Sequence, residues 1–427
     1  MVMLPPGERT GLVAAPPSKS DAHRKLLLAA LAGRGTWVRI GEICDDVRAT
    51  IDCLRALGVS AVEATDGVRL APGNAREEDP SRVIPTLDAR ESGTTLRFLL
   101  PAAMVLRKSA RFVGCGRLPE RPVTHLMRAM ADNGVRFSRE KLPFTAEGRL
   151  RSGVYRLPGD VSSQYVSALL MALPFLPGNS ELVLTTPLES REYVSMTQSV
   201  MRLFGLRSQA TPDGYFVPGG QTGNPPDAVS AEGDWSNAAF FLAAGALGKR
   251  GVTVSGLSED SAQGDRQILA FLMKMGARVE RTPRGICVRG GDLRGIRADI
   301  RDCPDLAAPL AVIAACAEGE SVFTGAKRLR LKETDRLETV CALINDLGGH
   351  AEAAEDALIV HGGGLIGGQT DARGDHRLAM AAAVAATGCR ERVQIWGAEA
   401  VSKSFPSFFQ SFSALSLAEK GRDSVAD

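Results

Sequence analysis

The chain has 427 residues, more than one hydrophobic core normally supports, so we predict two domains. Its 51 Lys and Arg residues nearly balance its 49 Asp and Glu residues, and the net charge of +2 argues against nucleic acid or an anionic membrane surface as a partner. Recognition of anions must therefore depend on local groups of cationic side chains.

The apolar segments and the cysteines indicate the compartment. The longest apolar runs, such as Leu306 to Ala317, are shorter than the roughly 18 to 20 residues that a membrane-spanning helix needs. The eight cysteines include no Cys-x-x-Cys pair, and the five histidines show no metal-ligand spacing. We therefore expect a cytoplasmic protein that binds no metal.

In chain order, the sequence repeats one pattern six times. A short polar segment precedes an Ala- and Leu-rich helical segment, a Gly-containing turn leads to a Val-rich strand, and a second helical segment ends at glycine. The polar segments are Ser18–Ser20, Glu91–Thr94, Ser162–Gln164, Asp234–Asn237, Asp305 and Asp375–Arg377.

Two sets of landmarks give the same repeat length. The polar segments recur every 70 to 73 residues, and the glycines that end the second helical segments recur every 71 to 76 residues. This spacing indicates duplication of a unit that is too small to cover its own apolar faces. We predict an α/β (α+β) fold in which three units build each of two domains.

The two ends of the chain suggest how the units are divided. The sixth unit lacks a closing strand, whereas a strand-like segment, Gly11 to Ala15, precedes the first unit. We predict that this segment completes the last repeat. The predicted domains are 17–230, and 1–16 together with 231–427, with a crossing in the Pro- and Gly-rich stretch near Gly223 to Glu232.

The Ser, Thr and Asp residues of the polar segments have a simple structural explanation as helix N-caps. N-capping does not explain the basic and amide side chains beside them, which are Lys19, Arg24, Arg97, Gln164, His376 and Arg377. The exposed N–H groups of a helix N-terminus attract anions, and Arg and Lys add charge-assisted hydrogen bonds. We predict that such N-termini from both domains bind anionic ligands in one cleft.

The segment Arg328–Leu337 contains four cations and two carboxylates immediately before a predicted amphipathic helix that ends near Gly348. The spacing of Lys332 and Arg336 predicts that both project from one face of the first helical turn. Two cations at a helix N-terminus oppose the helix dipole, which favours an anionic ligand there. A solvated, charged helix start is the simpler alternative.

Eight short motifs resemble those of one family, and they occur in that family's order over nearly the whole chain. They are Pro17-Ser18-Lys19-Ser20 with Arg24, Ser92-Gly93-Thr94 with Arg97, Glu120-Arg121-Pro122, Gly159 to Gln164, Pro304-Asp305, Lys332 to Arg336, Asp375-His376-Arg377 and Lys403 to Pro406. The family is 3-phosphoshikimate 1-carboxyvinyltransferase, or EPSP synthase. The resemblance implies two domains, each of three βαβαββ repeats in an inverse α/β barrel-like arrangement, with the active site in the interdomain cleft.

The resemblance also implies the reaction and its participants. The enolpyruvyl group of phosphoenolpyruvate is transferred to the 5-hydroxyl of shikimate 3-phosphate, and phosphate is released, without a metal or an organic cofactor. This reaction belongs to the shikimate pathway of chorismate and aromatic amino-acid biosynthesis. The expected partners are these two small molecules, and we expect a monomer.

By position in the motifs, the resemblance assigns side chains to each substrate. Shikimate 3-phosphate is expected to contact Lys19, Ser20, Arg24, Ser162, Ser163, Gln164, Ser190, Asp305 and Lys332, with Tyr193 and Arg328 close to that set. Phosphoenolpyruvate is expected to contact Lys19, Gly93, Arg121, Gln164, Arg336, His376, Arg377 and Lys403. The expected catalytic residues are Asp305, Glu333, Lys19 and Lys332.

The chemistry agrees with these residue types. Two phosphates and a carboxylate repel one another, so a site without metal needs several Arg and Lys side chains. Addition to the enol ether needs a base for the hydroxyl proton and an acid for the methylene carbon. The resemblance suggests Asp305 as base and Glu333 as acid, but Lys332 and Arg336 favour the ionised form of Glu333, so the assignment stays open.

The sequence departs from the family pattern at two positions. Glu91 and Ser92 stand where the family commonly has Asn-Ala, and Arg328 stands where it commonly has Asn. The roles of Glu91 and Arg328 therefore cannot be transferred from the family. Gly93 leaves room for a bulkier analogue of phosphoenolpyruvate, and we predict inhibition by glyphosate.

Two alternative functions share some of these sequence features. UDP-N-acetylglucosamine enolpyruvyl transferase has the same repeats and uses a cysteine shortly before an Arg-Pro, as Cys115 precedes Arg121-Pro122 here. That family has Asp-Leu-Arg at the position of Asp375-His376-Arg377 and lacks Lys-Glu-Thr-Asp-Arg, so we interpret Cys115 as a structural thiol. A non-catalytic anion-binding relative is disfavoured because both Asp305 and Glu333 are present.

Overall fold

The computed structural model describes residues 1–73 and 84–417, which fold into two compact units. The N-terminal unit comprises Pro17–Ala231 and Ala262–Gly264. The C-terminal unit comprises Met1–Pro16, Glu232–Ser261 and the described residues from Asp265 onward. Within residues 1–73 and 84–417, no helix is both long and apolar enough to cross a membrane.

Each unit has a hydrophobic core of its own, and three helices pack against one another at its centre. These central helices are rich in Ala and Leu, and several are apolar on nearly all sides, which is typical of helices without a solvent-facing side. In the N-terminal unit they are α1 (Lys19–Ala32), α3 (Gly93–Leu106) and α5 (Ser163–Ala172), and the other helices are α2 (Asp45–Ala56), α4 (Thr124–Ala131) and α6 (Arg191–Leu203).

The C-terminal unit repeats this arrangement. Its central helices are α7 (Trp235–Ala246), α9 (Ala307–Cys316) and α11 (His376–Gly388), and the other helices are α8 (Ile268–Lys274), α10 (Arg336–Asp346) and α12 (Phe408–Ala414). Every residue of α9 from Ala307 to Ala315 is buried. Short 3₁₀ turns at Pro304–Leu306 and Lys327–Leu331 precede α9 and α10.

Among its described residues, the N-terminal unit contains three four-stranded sheets of one design, in which a parallel pair is followed by an antiparallel hairpin. In sheet order the strands are Ala228–Ser230, Thr36–Arg39, Gly67–Ala71 and Ser60–Ala64; Thr86–Asp88, Ser109–Val113, Phe144–Gly148 and Val135–Phe137; and Val154–Leu157, Ser180–Leu184, Gly214–Val217 and Gln209–Thr211. The strand Ala228–Ser230 follows the third repeat but pairs in parallel with the first, which links the three sheets into a closed set.

The sheets of the C-terminal unit vary this design. Their strands, in sheet order, are Arg278–Thr282, Gly285–Arg289, Val252–Ser255, Arg9–Ala14 and Ser416–Leu417; Arg297–Asp299, Glu320–Thr324, Ala357–His361 and His350–Ala353; and Val2–Leu4, Val393–Trp396 and Gly368–Asp371. The segment predicted to complete the last repeat, Gly11 to Ala15, lies largely in the strand Arg9–Ala14. This strand pairs in parallel with Val252–Ser255 of the fourth repeat and antiparallel with Ser416–Leu417 at the end of the last repeat. The sheet of the last repeat is extended by another strand, Val2–Leu4, which pairs with Val393–Trp396.

The glycines that mark the repeat in the sequence end the second helices of the first five repeats. Gly58, Gly134, Gly205, Gly276 and Gly348 all have positive φ angles, between 71° and 101°. A residue with a Cβ is disfavoured in this left-handed conformation, so glycine is required where the chain leaves the helix. The local sequence therefore sets the ends of these helices.

Candidate active site

The polar segments that open the repeats act as N-caps in five of the six cases. The side chains of Ser18, Ser92, Ser162, Asp234 and Asp375 accept hydrogen bonds from backbone N–H groups in the first turns of their helices. Asp305 differs, because it lies in the 3₁₀ turn before α9 and its side chain caps no helix. Its carboxylate is therefore available for other contacts.

Lys19 and Asp46 form an ion pair at the start of the first repeat in the N-terminal unit. Lys19 is the first residue of α1, and its Nζ lies 2.7 Å from Asp46 Oδ2. The backbone carbonyl of Asp46 accepts a hydrogen bond from Thr95 Oγ1 in the first turn of α3 at 3.1 Å. The starts of three helices are thus joined, and sequence reasoning had identified Lys19 but not Asp46.

Arg97 and Gln164 connect the starts of α3 and α5. Arg97 Nη1 donates to Gln164 Oε1 at 2.7 Å, and Gln164 Nε2 donates to Thr94 Oγ1 at 2.9 Å. Arg97 Nη2 also donates to the backbone carbonyl of Pro122 at 3.1 Å. These bonds fix the orientation of the Gln164 amide beside the N-terminus of α5, where a ligand would meet both the amide and the helix dipole.

Gly93 faces two guanidinium groups. A Cβ at this position would lie 2.7 Å from Arg97 Nη1 and 2.9 Å from Arg121 Nη1. Arg121 follows the 3₁₀ turn Leu118–Glu120, yet it reaches the start of α3 from there. The absence of a side chain at Gly93 therefore lets both cations approach the first turn of α3.

Arg24 is buried and engaged within the N-terminal unit. Its guanidinium donates to Thr197 Oγ1 at 2.7 Å, to Ser167 Oγ at 3.4 Å, and to the backbone carbonyls of Ser20 at 2.7 Å and Tyr193 at 3.0 Å. Burial lowers the pKa of Arg24 to about 10, so the group stays charged at neutral pH. These contacts show that Arg24 ties α1 to α5 and α6, and its expected contact with a ligand stays a prediction.

The remaining serine candidates of the N-terminal unit lie at helix starts. Ser20 and Ser163 belong to the first turns of α1 and α5, and Ser162 caps α5. Ser190 precedes α6 and has a φ of 53°, which is unusual for a residue other than glycine. Sparsely populated backbone conformations occur preferentially at functional sites, which supports the selection of Ser190.

Asp305 is surrounded by cations in the C-terminal unit. Arg336 Nη1 and Arg377 Nη2 donate to its two oxygens at 2.8 Å each, and Lys332 Nζ lies 3.5 Å from Oδ1. Burial opposes ionisation of this carboxyl, but the charges of Arg377, Lys332 and Arg336 outweigh burial and hold the pKa of Asp305 well below its usual value. Asp305 is therefore ionised at neutral pH.

Arg336 is the centre of this network and is almost completely buried, with 1% of its side chain exposed. It bonds to Glu333 Oε2 at 2.6 Å and to Asp375 at 2.9 and 3.2 Å, in addition to Asp305. Burial opposes the charge, but the three carboxylates raise the pKa of Arg336 further above its usual value. Asp375 thus has two roles, because it also caps α11, and the sequence indicated only the cap.

The predicted projection of Lys332 and Arg336 from one helical turn is wrong. Helix α10 begins at Arg336, the preceding 3₁₀ turn ends at Leu331, and Lys332 between them is extended, with ψ of −163°. The two side chains nevertheless converge on Asp305 because the chain bends between them. Desolvation lowers the pKa of Lys332 although Asp305 opposes this shift.

Asp265 is a buried carboxyl that sequence reasoning missed. It forms a hydrogen bond with Ser236 Oγ in the first turn of α7. Burial, and then the nearby charge of Asp305, raise the pKa of Asp265 to about 7. No motif or local pattern marked this residue, because its unusual environment arises only from long-range packing.

The other predicted residues of the C-terminal unit lie at its helix starts and turns. His376 is buried in the first turn of α11, and Lys403 Nζ donates to the backbone carbonyl of Gly374 at 2.7 Å, just before that helix. Arg328 Nη2 donates to the backbone carbonyl of Arg301 at 2.7 Å. Asp305, Lys332, Glu333, Arg336 and Arg377 are thus brought into one network, with Lys403 near the start of α11 and Arg328 in the preceding turn.

Both units therefore present cations at helix N-termini, and one of them adds several carboxylates, of which Asp305 is ionised. Such groups can hold phosphate and carboxylate groups by charge-assisted hydrogen bonds. They can also accept or donate a proton beside the bound anions. This is the chemistry required for a reaction between two anionic small molecules.

Comparisons with known sequences agree with this chemistry. A family model described as EPSP synthase (3-phosphoshikimate 1-carboxyvinyltransferase) matches residues 4–412. A protein named 3-phosphoshikimate 1-carboxyvinyltransferase from Clostridium kluyveri is 38% identical, over 97% of this chain and 97% of its own. A protein of the same name from Clostridium perfringens (strain SM101) is 35% identical, over 97% of this chain and 98% of its own.

Solved structures show the same fold. An EPSP synthase from Acinetobacter baumannii superimposes with a TM-score of 0.80 at 26% identity, covering 97% of this chain and 98% of that chain. The enolpyruvyl transferase NikO from Streptomyces tendae gives a TM-score of 0.77 and covers 97% of each chain. At 17% identity, this second likeness concerns the fold alone. The predicted fold class is confirmed.

Proposed function

This chain belongs to the EPSP synthase family and catalyses its reaction, and we propose that two groups of side chains, one in each unit, divide the binding of the substrates. The enolpyruvyl group of phosphoenolpyruvate is transferred to the 5-hydroxyl of shikimate 3-phosphate, and phosphate is released. The products are 5-O-(1-carboxyvinyl)-3-phosphoshikimate and phosphate. The reaction belongs to the shikimate pathway and supplies aromatic amino-acid biosynthesis.

The N-terminal unit, predicted as 17–230, supplies most of the side chains for shikimate 3-phosphate. The proposed set in this unit is Lys19, Ser20, Arg24, Ser162, Ser163, Gln164, Ser190 and Tyr193. The hydrogen bonds that join the starts of α1, α3 and α5 support it, because several helix N-termini and Lys19 then act on one ligand phosphate. Asp305, Arg328 and Lys332 complete the set.

The C-terminal unit, predicted as 1–16 with 231–427, completes the site for phosphoenolpyruvate. Its proposed contributions are Arg336, His376, Arg377 and Lys403, and the N-terminal unit adds Lys19, Gly93, Arg121 and Gln164. The approach of Arg121 and Arg97 to Gly93 supports the residues proposed from the N-terminal unit. A phosphate or carboxylate bound beside Gly93 would gain planar, bidentate donors from these two guanidinium groups.

We assign Asp305 as the base and Glu333 as the acid. Asp305 is ionised, as a base must be, although the cations that keep it so also weaken it as an acceptor of the hydroxyl proton. Glu333 has 19% of its side chain exposed and can take up a proton from solvent, against the effect of Arg336 at 2.6 Å, which favours its ionised form. Lys19 and Lys332 stabilise the negative charge that develops on the substrates.

We further propose that the enzyme works in the cytoplasm as a monomer. All eight cysteines lie in the described parts of the chain, where no disulfide joins them, as is usual in a reducing compartment. One chain also contains every residue of both proposed substrate sets. Light scattering on the purified enzyme during gel filtration would give its mass in solution and test the monomer.

The convergence of Lys332, Arg336 and Arg377 on Asp305 is the observation that carries this assignment of residues. The test is a coupled assay of phosphate release with the variants Lys332→Met and Lys327→Met. Lys327 is a matched control because it lies in the preceding turn, and its side chain is 70% exposed beside Glu355. The side chain of Lys332 is 26% exposed, and loss of a hydrogen bond to a charged ligand costs about 1.5 to 3 kcal/mol, so we expect Lys332→Met to lower kcat/KM by at least about tenfold.

Lys327→Met is expected to retain kcat/KM within about twofold, since an exposed ion pair contributes little. Equal activity of the two variants would contradict the proposed role of Lys332. Offering UDP-N-acetylglucosamine in place of shikimate 3-phosphate is expected to give no phosphate release. Turnover with that sugar would instead support the other enolpyruvyl transferase reaction.

A further inference from the structure

Two histidines and two glutamates lie together on the outer face of the fifth repeat's sheet, apart from the proposed substrate-binding residues. The strands Glu320–Thr324, Ala357–His361 and His350–Ala353 are neighbours in this sheet. His361 stands directly opposite both Glu320 and His350, and Glu352 is two residues beyond His350 on the same face. The four side chains therefore form one patch.

The two imidazole rings converge on one carboxylate. Glu352 Oε1 lies 3.0 Å from His350 Nε2 and 3.8 Å from His361 Nε2. The candidate ligand atoms of these three residues all lie within 4.8 Å of one another. A tetrahedral ion with ligands at about 2.1 Å holds them roughly 3.4 Å apart. The two rings are stacked with centroids 4.7 Å apart, so both must turn about their side-chain bonds to direct a nitrogen at one ion.

Glu320 lies beside the ring nitrogen of His361 that would not bind the ion, and metal-binding histidines in proteins commonly have a carboxylate at that nitrogen. Its Oε2 lies 3.7 Å from His361 Nδ1, on the opposite side of the ring from Nε2. A carboxylate at Nδ1 favours the tautomer in which Nε2 carries the free lone pair, and it orients the ring. His361 is thereby prepared to bind an ion through Nε2, the atom that faces Glu352.

We propose that His350, Glu352 and His361 form a binding site for a divalent transition-metal ion such as Zn²⁺. Two imidazoles and one carboxylate are ligands suited to zinc, copper or nickel rather than to magnesium or calcium, which prefer oxygen. The three side chains are 63%, 59% and 37% exposed, so an ion can enter from solvent and water can complete its coordination. The ion would link two adjacent strands and stabilise this sheet against local unfolding.

The histidine spacing in the sequence gave no sign of this site. The ligands belong to two strands, and only the antiparallel pairing of Ala357–His361 with His350–Ala353 places His350 opposite His361. The site is independent of the proposed function, because none of its side chains belongs to the substrate sets. Loss of metal binding therefore need not change turnover.

The test is calorimetric titration of ZnCl₂ into the full, untagged chain after removal of metal. We expect one ion per chain, and at least a tenfold loss of affinity in His350→Gln and in His361→Gln. Glu320→Gln is expected to weaken binding about tenfold through the orientation of His361. His125→Gln and Cys115→Ser are matched controls because both side chains are exposed and remote in sequence, and they should bind as the wild type does.

A spectroscopic measurement identifies the ligands directly. With Cu²⁺ in place of Zn²⁺, electron paramagnetic resonance should show coupling to two imidazole nitrogens in the wild type and fewer in either histidine variant. The proposal is overturned if the wild type binds Zn²⁺ no more tightly than a His350→Gln/His361→Gln double variant. It is also overturned if Cys115→Ser alone abolishes binding.

Discussion

The buried guanidinium of Arg336 offers the sharpest test of how the C-terminal unit holds its charges. We consider Arg336→Met, which keeps the length and apolar stem of the side chain but removes the charge. Glu333 is partly exposed and can be solvated by water, and Asp305 retains Arg377 and Lys332. Asp375 has no exposed side-chain surface, so the main cost arises from this carboxylate.

The expected loss of stability follows from the complete burial of Asp375. Removing one partner of a buried ion pair costs about 3 to 5 kcal/mol, because the remaining charge is neither hydrated nor paired. We expect Arg336→Met to lower the free energy of unfolding by this amount. Adding Asp375→Asn should recover about half of the loss or more, because asparagine removes the buried charge and is still a good N-cap for α11.

The assay is urea unfolding followed by tryptophan fluorescence. The chain has three tryptophans, and in a Trp37→Phe background the two that remain, Trp235 and Trp396, report on the C-terminal unit. The control is Arg330→Met, whose ion pairs with Asp335 and Glu338 are more exposed and should contribute less than about 1 kcal/mol.

Two results would contradict the expected role of Arg336. A loss below about 1 kcal/mol for Arg336→Met would mean that the carboxylates do not depend on this cation. Additive losses in Arg336→Met and Asp375→Asn, with a coupling free energy below about 0.5 kcal/mol, would mean that the two residues do not stabilise one another.

Three further predictions concern single residues. Gly93→Ala places a Cβ within 2.9 Å of Arg97 and Arg121, so we expect a higher KM for phosphoenolpyruvate than in the wild type. Glyphosate should inhibit the wild type and should inhibit Gly93→Ala more weakly. Steady-state titration of the wild type and of Gly93→Ala measures both effects, and an unchanged KM would count against contact of phosphoenolpyruvate with Gly93. Asp265 has a pKa near 7 in the folded protein and about 3.9 in the unfolded chain, so the folded state holds this proton more tightly and wild-type stability falls as pH rises between these values. In urea unfolding, Asp265→Asn should therefore stabilise the protein more at pH 8 than at pH 5. An equal gain at the two pH values would contradict the raised pKa. Cys115→Ser should retain kcat/KM within about twofold in the assay of phosphate release, because the proposed mechanism uses no thiol. A loss of a hundredfold or more would favour the reaction of UDP-N-acetylglucosamine enolpyruvyl transferase, which uses a cysteine.

The helix starts and ends of the repeats follow from short stretches of sequence. Ser18, Ser92 and Ser162 mark helix starts, and Gly58 and Gly348 mark helix ends, because capping and left-handed turns depend on a few neighbouring residues. The regular spacing of these signals predicted the α/β repeats, and the motifs identified the family. Local chemistry was sufficient for the repeats, whereas the family followed from the resemblance of the motifs to those of known enzymes.

Contacts between side chains of different repeats and turns depend on the folded chain. The sequence placed Lys332 and Arg336 on one helical turn, whereas a bend before α10 brings both to Asp305. The raised pKa of Asp265 and the meeting of His350 with residues of the adjacent strand were likewise invisible in the sequence. Burial and Coulomb interactions depend on distances between residues far apart in the chain, and those distances exist only once the chain has folded.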